Sequence, residues 1–242
     1  PQEWPKSEKL IDWELDKDIG KGKAYLLKKV RVGEEAAKLR FEEFLEQRIS
    51  QYYLSRDRLD KVESSNLSEN LAYGEISPRQ IWNTVLKIYS LNENNSEMFL
   101  RQLAWRDFAW YLCFHCPHIL KKNWKSEWDS FPWRENSDAL VRWQRGITGV
   151  PIVDAGMREL YVTGRMHNRV RMIVASYLTK HLLIDWRHGL NWFADCLIDW
   201  DPASNALGWQ WVAGSGPDAS PFFRVFNPEL QSKKFDPKGV YT

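Results

Sequence analysis

Three groups of residues in this chain have types and spacing that could do chemistry. Asp199-Trp200-Asp201 stands just before a helix start, where carboxylates can cap backbone N–H groups or accept hydrogen bonds from a ligand. Capping accounts for one acid; the other, with Asn205 one helical turn on, suits the edge of a heterocycle offering donors and acceptors. The segment Leu160 to Ile184 carries Arg165, Arg169, Arg171 and Lys180 and no acid at all. It could neutralise the phosphates of a cofactor or a DNA strand, or form a solvated helix face. Cys113-Phe-His-Cys116-Pro-His118 has the superficial look of a zinc site. A structural zinc needs four ligands, only the isolated Cys196 remains, and these residues close an apolar helix, so no metal is expected. Gly214-Ser215-Gly216 has no strand before it and reads as a turn.

The elements that must position these groups are helices. Apolar residues recur at helical spacing from Glu34 to Leu59 (Ala37, Phe41, Phe44, Leu45, Ile49, Tyr52), predicting one amphipathic helix. Lys61 to Gly74 is a Ser- and Asn-rich loop, and Ser77-Pro78 opens the next helix. Ser96 is read as the cap of a longer run ending before Pro117. Ser137 and Pro151 open helices stopped by Gly146 and Gly164; Met166–Leu183, Gly189–Ile198 and Ala203–Val212 follow. Strand alternation is nearly absent. The pattern predicts one all-α domain over 33–242, with 1–32 a linker or the trailing edge of another domain.

Composition is that of a globular chain: 242 residues, 43% hydrophobic and 27% charged, with net charge +2, so affinity for polyanions must come from local patches. Three Cys argue for reduced thiols and a cytoplasmic setting, and no apolar run approaches the ~20 residues of a membrane span. The amino terminus, Pro1-Gln2-Glu3-Trp4-Pro5, reads like a chain cut from something longer. The outlier is Trp, at 14 residues, a usage that asks for a reason beyond filling a core.

Trp209-Gln-Trp211, Gly146-x-Thr-Gly-x-Pro-Ile-Val-Asp154-Ala155, Met166-His-Asn-Arg169, Leu183-Ile-Asp-Trp186 and Phe226-Asn-Pro228 together resemble the photolyase/cryptochrome flavoproteins. The resemblance runs from about Phe41 to Tyr241 and is nearest to cyclobutane pyrimidine dimer photolyases of class I. It covers the helical FAD-binding domain alone, without the amino-terminal α/β antenna domain or the closing carboxyl-terminal helices. No antenna pigment is therefore expected on this chain.

The resemblance implies roles residue by residue. The loop Ser64-Ser65-Asn66-Leu67-Ser68 would hold the FAD pyrophosphate, with Tyr52 and Phe99 lining the flavin site. Asp199, Trp200 and Asp201 would contact flavin and ribitol, Asn205 would face the flavin N5, and Arg171 would pair with Asp199. Trp209, Trp186 and Trp133 match the electron-transfer tryptophans running from flavin to surface. Damaged DNA would be the partner, its dimer flipped into a pocket walled by Trp105 and Met172. Arg56, Arg106, Asn168, Arg169 and Gln231 match positions contacting DNA or lesion, Arg106 also bordering the cofactor. Light would then drive one electron from reduced FAD to the dimer and back.

Three departures stand out. Gln102 occupies the place of a Glu that bonds the dimer, Phe99 that of a frequent Trp, and Trp200 that of a small residue. Gln102 leaves room for a cryptochrome-like photoreceptor without repair. Repair of (6-4) photoproducts also places Gln there but requires a His where this chain has Asn168. A DNA-binding remnant without flavin is a third reading. A monomer is the family's habit.

Overall fold

The computed structural model describes residues 3, 5–14, 23–89, 94–219 and 225–242. The described residues hold helices and turns and no strand, as the periodicity predicts. Part of the 1–32 segment lies outside them; the part described holds a short helix, α1 (Lys23–Lys29). No described helix is long and apolar enough to cross a membrane.

The helix expected over Glu34–Leu59 is broken. α2 runs Glu34–Gln47, a 3-10 turn spans Ile49–Gln51, and α3 covers Tyr52–Ser55. Asn95, across the molecule, satisfies the backbone groups freed at the break: it accepts from Tyr53 N and donates to Ser50 O, each at 2.8 Å. The break turns Tyr52 inward against Phe44. α4 (Ser68–Ala72) is a short helix inside the segment read as a loop. α5 (Pro78–Ile88) starts at the expected Ser-Pro pair. The long helix α6 (Asn94–His115) already includes Asn94, so Ser96 is a buried interior residue instead of the cap.

α7 (Ser137–Gln144) is capped by Asn136, and α8 (Pro151–Thr163) runs from its Pro to Gly164. The Gly-x-Thr-Gly motif before α8 does structural work: the buried Asp154 carboxylate accepts from Thr148 N, Thr148 Oγ1 and Gly149 N. Gly146 sits at φ +62, and a Cβ there would lie 2.6 Å from the Asp154 carbonyl oxygen. The run expected from Met166 to Leu183 divides into α9 (Asn168–Ser176), capped by His167, and a widened π turn over Tyr177–His181. α10 (Trp186–Cys196) starts three residues before the predicted Gly189 because Asp185 caps it. α11 (Pro202–Ala213) is capped by Asp201, stopped by Gly214, and matches its expected span within one residue at each end. α12 (Pro228–Phe235), capped by Asn227, lacked a periodic signal.

Two apolar cores hold these helices. One collects Trp143 and the inner faces of α8 to α11; the other collects α2, α3, α5 and the first half of α6. The second half of α6 joins Ile119 and Ala203 of α11 in a smaller cluster. α6 thus bridges both halves of the molecule, and the spaces left beside it hold the candidate site.

Candidate cofactor and nucleic-acid site

Three adjoining spaces open between the two cores. A loop cavity of about 440 Å³ is bounded by Ser64–Ser68, Tyr52, Arg171 and Asp199. An inner cavity of about 170 Å³ lies under α11 between Asp199, Trp200, Asp201, Asn205 and Trp209. An outer cleft of about 1210 Å³ is walled by α6, α11 and α12. Asn168 lines all three; Arg171 and Asp199 join loop cavity to inner cavity, and Met172 and Gly208 join inner cavity to cleft.

The loop cavity is built for an anion. Asn66 stands at φ +54, with its Oδ1 accepting from Ser64 Oγ at 2.9 Å, and the Ser64–Ser68 turn borders the space beside α4. Leu67 is buried beneath it. Cationic groups Arg165, Arg171 and Lys61 share the wall, and the acid Glu69 is neutralised by Arg165 at 2.5 Å and Arg40 at 3.2 Å.

Between the two cavities Arg171 forks onto Asp199, its Nη2 donating to the carboxylate oxygens at 3.0 and 2.8 Å while Nε donates to Met166 O. Burial pushes the Asp199 carboxyl up, but the guanidinium and hydrogen bonds, one from Ser68, outweigh it and hold Asp199 ionised below its ordinary value. Of the two neighbouring acids one is a cap, as expected, and the other is tied to Arg171. Asp201 caps α11 through Ser204 N at 2.7 Å, accepts from Trp110 Nε1 at 2.9 Å and sits 3.6 Å from Arg106. Arg106 also donates to Leu71 O, bracing the cleft wall.

The inner cavity is apolar on one side, where Ala175, Phe193, Leu197, Val212 and the buried Trp209 face it, and polar on the other, where Arg171, Asp199, Asp201 and Asn205 do. Trp209 Nε1 is buried without a protein acceptor, and Gly208 beside it has nothing within 4 Å of where a Cβ would stand. Asn205 is anchored through Nδ2 to Leu190 O at 3.1 Å. Tyr52 lines the loop cavity, and burial raises its phenol above the ordinary value. Phe99 lies behind this wall instead of on it: it packs on Tyr52 at 5.6 Å and Phe44 at 4.7 Å within the core.

Trp209, Trp186 and Trp133 belong to one packed cluster, the first two fully buried and Trp133 partly exposed. Trp186 donates to Asn123 Oδ1 at 3.0 Å, and Arg187 stacks over its ring at 4.9 Å. The indole of Trp143 meets Trp209 edge-on at 6.2 Å, a contact sequence reading missed because Trp143 sits in no recognised motif.

The cleft gathers Arg56, Gln102, Trp105, Arg106, Asn168, Arg169, Met172 and Gln231. Trp105 is 46% exposed and makes a T-shaped contact with Phe108, ring centroids 5.8 Å apart. Gln102 is occupied at both ends: Oε1 accepts from Arg56 at 3.2 Å and Nε2 donates to Met98 O at 3.0 Å. Asp57, which sequence reasoning passed over, ties Arg169 at 2.5 Å and stands 3.8 Å from Arg56. Among the described residues no group of three or more His, Cys, Asp or Glu could hold a metal ion.

A loop cavity with cations on its wall, continuous with a small inner cavity and opening on a basic cleft with an aromatic wall, is the setting of a helical flavin-binding domain. Residues 99–242 match the family described as the FAD binding domain of DNA photolyase. The chain belongs to that family, and FAD is the cofactor its domain binds. It is 49% identical to a deoxyribodipyrimidine photo-lyase of Agrobacterium fabrum, over 100% of this chain and 50% of that protein. It is 43% identical to the Escherichia coli protein of the same name, over 87% of this chain and 45% of that one. The solved class III photolyase of Agrobacterium tumefaciens superposes with a TM-score of 0.90 at 49% identity, covering 100% of this chain and 50% of that one. A Synechocystis cryptochrome superposes at 0.81 with 38% identity, covering 88% of this chain and 45% of that one. The chain thus spans about half the length of the relatives it matches. The solved relative at 49% identity is a class III photolyase, whereas the sequence motifs were read as nearest to class I.

Proposed function

We propose that this domain carries out light-driven repair of cyclobutane pyrimidine dimers in DNA, with FAD held across the loop and inner cavities and the lesion in the outer cleft. When bound, reduced and illuminated, FAD supplies the one electron that ring splitting requires and receives it back. The observation that carries the reading is the shared wall: Asn168, Met172 and Gly208 border both the inner cavity and the cleft, so a cofactor in one and a lesion in the other would lie close together.

The chain's residues divide the work. Ser64–Ser68 would hold phosphate, and the Arg171–Asp199 pair, neutral as a whole, would act on the flavin through directed hydrogen bonding and local polarity, not through net charge. Asn205, anchored on Leu190, faces the ring from α11. Trp105 and Met172 exclude water around a flipped-out dinucleotide, while Arg56, Arg106, Arg169 and Gln231 position its backbone or base edges. Trp209, Trp186 and Trp133, graded from buried to partly exposed, form a path for electrons from the surface that would restore the reduced cofactor. The protein is read as a monomer on its DNA.

The test is repair of an oligonucleotide bearing one thymine dimer by FAD-reconstituted, reduced protein under blue light and in darkness. Light-dependent repair that is lost on Trp105→Ala supports the reading, and repair undiminished by that change overturns the pocket assignment. One observation favours a second reading, a photoreceptor without repair: both ends of the Gln102 amide are already bonded within the protein. Photoreducible flavin with no repair of any lesion is its signature.

A further inference from the structure

Arg56 and Arg169 reach the outer cleft from the ends of two different helices, α3 and α9. His167 joins the backbones that carry them. Its Nδ1 accepts the backbone N–H of Arg169 at 3.1 Å, and its Nε2 lies 3.0 Å from the carbonyl oxygen of Arg56. A ring nitrogen that accepts from an N–H carries no hydrogen, and one that faces a carbonyl must carry one. The two contacts therefore specify the neutral imidazole protonated at Nε2. Asp57 completes the joint by binding both guanidinium groups, and Arg169 is stacked on Phe235 of α12 at 4.5 Å.

We propose that His167 is a positioning residue for nucleic-acid binding: as a neutral imidazole it pins the ends of α3 and α9 together, so that Arg56 and Arg169 present a fixed pair of cations to DNA in the outer cleft. This rests on the DNA-binding reading above. A second proton on the ring sets N–H against N–H at the Arg169 end and removes the α9 cap. It also adds a cation beside Arg56, Arg169 and Arg171, with Asp57 as the adjacent acid. Lys61, Glu159, Arg165, Asp199 and Tyr241 line the cavity that His167 shares on its other side. Burial, opposed by the Arg56 carbonyl and Asp57, keeps the ring below its ordinary value and so neutral at pH 7.

The proposal has the opposite sign from simple charge attraction. Protonating a surface histidine strengthens binding to a polyanion, whereas releasing the pin weakens it. The experiment is fluorescence anisotropy with a labelled duplex carrying one thymine dimer, at constant salt from pH 8 to pH 5.5, using FAD-loaded wild type, His167→Ala and His167→Asn. Asn caps helices as well as any residue and does not titrate. Wild-type affinity is expected to hold through the ordinary histidine range and to begin falling toward pH 5.5, approaching a loss of about fivefold to tenfold, the size of one helix cap, as the ring becomes fully protonated. His167→Ala is expected to bind weakly across the range, and His167→Asn to bind more tightly than Ala with a flat profile.

Wild-type affinity that rises toward low pH, or an Ala variant equal to wild type at pH 8, overturns the pin. Absence of wild-type binding at pH 8 overturns the DNA-binding reading and the pin with it. Thermal melts of each variant at each pH separate loss of the pin from loss of the fold. Nitrogen-15 imidazole shifts give a check independent of DNA: a proton on Nδ1 at neutral pH overturns the assignment.

Discussion

Replacing Gly208 by Leu separates the site from the scaffold because the two effects have opposite signs. Gly208 lies inside α11, and a Cβ added there meets nothing within 4 Å. In a helix interior the exchange gains about 0.8 kcal/mol of backbone and propensity free energy. At roughly 2–4 °C per kcal/mol for a chain of this size, the cofactor-free protein should melt about 2–3 °C higher. The inner cavity holds only about 170 Å³, room for some half-dozen waters at about 30 Å³ each. Four added heavy atoms would fill much of that space, or of its opening to the cleft. Overpacking of this kind costs roughly 1–3 kcal/mol, about 5- to 150-fold in affinity. The assay pairs calorimetric melting of apo-protein with titration of FAD and of dimer-containing duplex. A lower apo melting temperature would mean that the position is already packed, and undiminished binding of both ligands would refute the placement of cofactor and lesion on either side of α11.

Two further changes probe the frame around the site. Asp199→Asn leaves the Arg171 cation without its carboxylate; as Arg171 remains partly exposed, about 2–3 kcal/mol is expected, seen as melting roughly 5–10 °C lower at pH 7. Because the folded carboxyl lies below its ordinary value of 3.8, its contribution is fully present above that pH and is lost as pH falls through the depressed value. The gap between wild type and variant should begin to close below about pH 4 and disappear once pH has passed the depressed value, and a constant gap down to about pH 2 would contradict the pairing. Gly146→Ala places a Cβ 2.6 Å from the Asp154 carbonyl oxygen at φ +62, so thermal melting should drop by several degrees, about 1–3 kcal/mol, with FAD affinity little changed. Loss of FAD without loss of stability would make that motif part of the site.

The sequence by itself determined the helical class and several helix starts, because caps and first-turn prolines act within a few residues: Ser77-Pro78 and Val150-Pro151 begin helices where the chain is read to begin them, and Asp201-Pro202 begins one a residue earlier. That one of Asp199 and Asp201 caps the next helix was legible for the same reason, since a cap needs only the next turn, though the fold alone decided which; the motif around Trp209 was specific enough to carry a family resemblance. What depends on partners distant in the chain was decided by the tertiary structure alone. The helix expected through Leu59 breaks because Asn95 supplies the hydrogen bonds that an interrupted backbone loses. Phe99 goes behind the cavity wall because Phe44 and Tyr52 meet it there. Gln102 is bonded at both ends because Arg56 and Met98 lie within reach, which residue type could not foretell. Local chemistry selects the elements; which spaces they enclose, and which polar groups remain free to face a ligand, follows from packing between residues far apart in the chain.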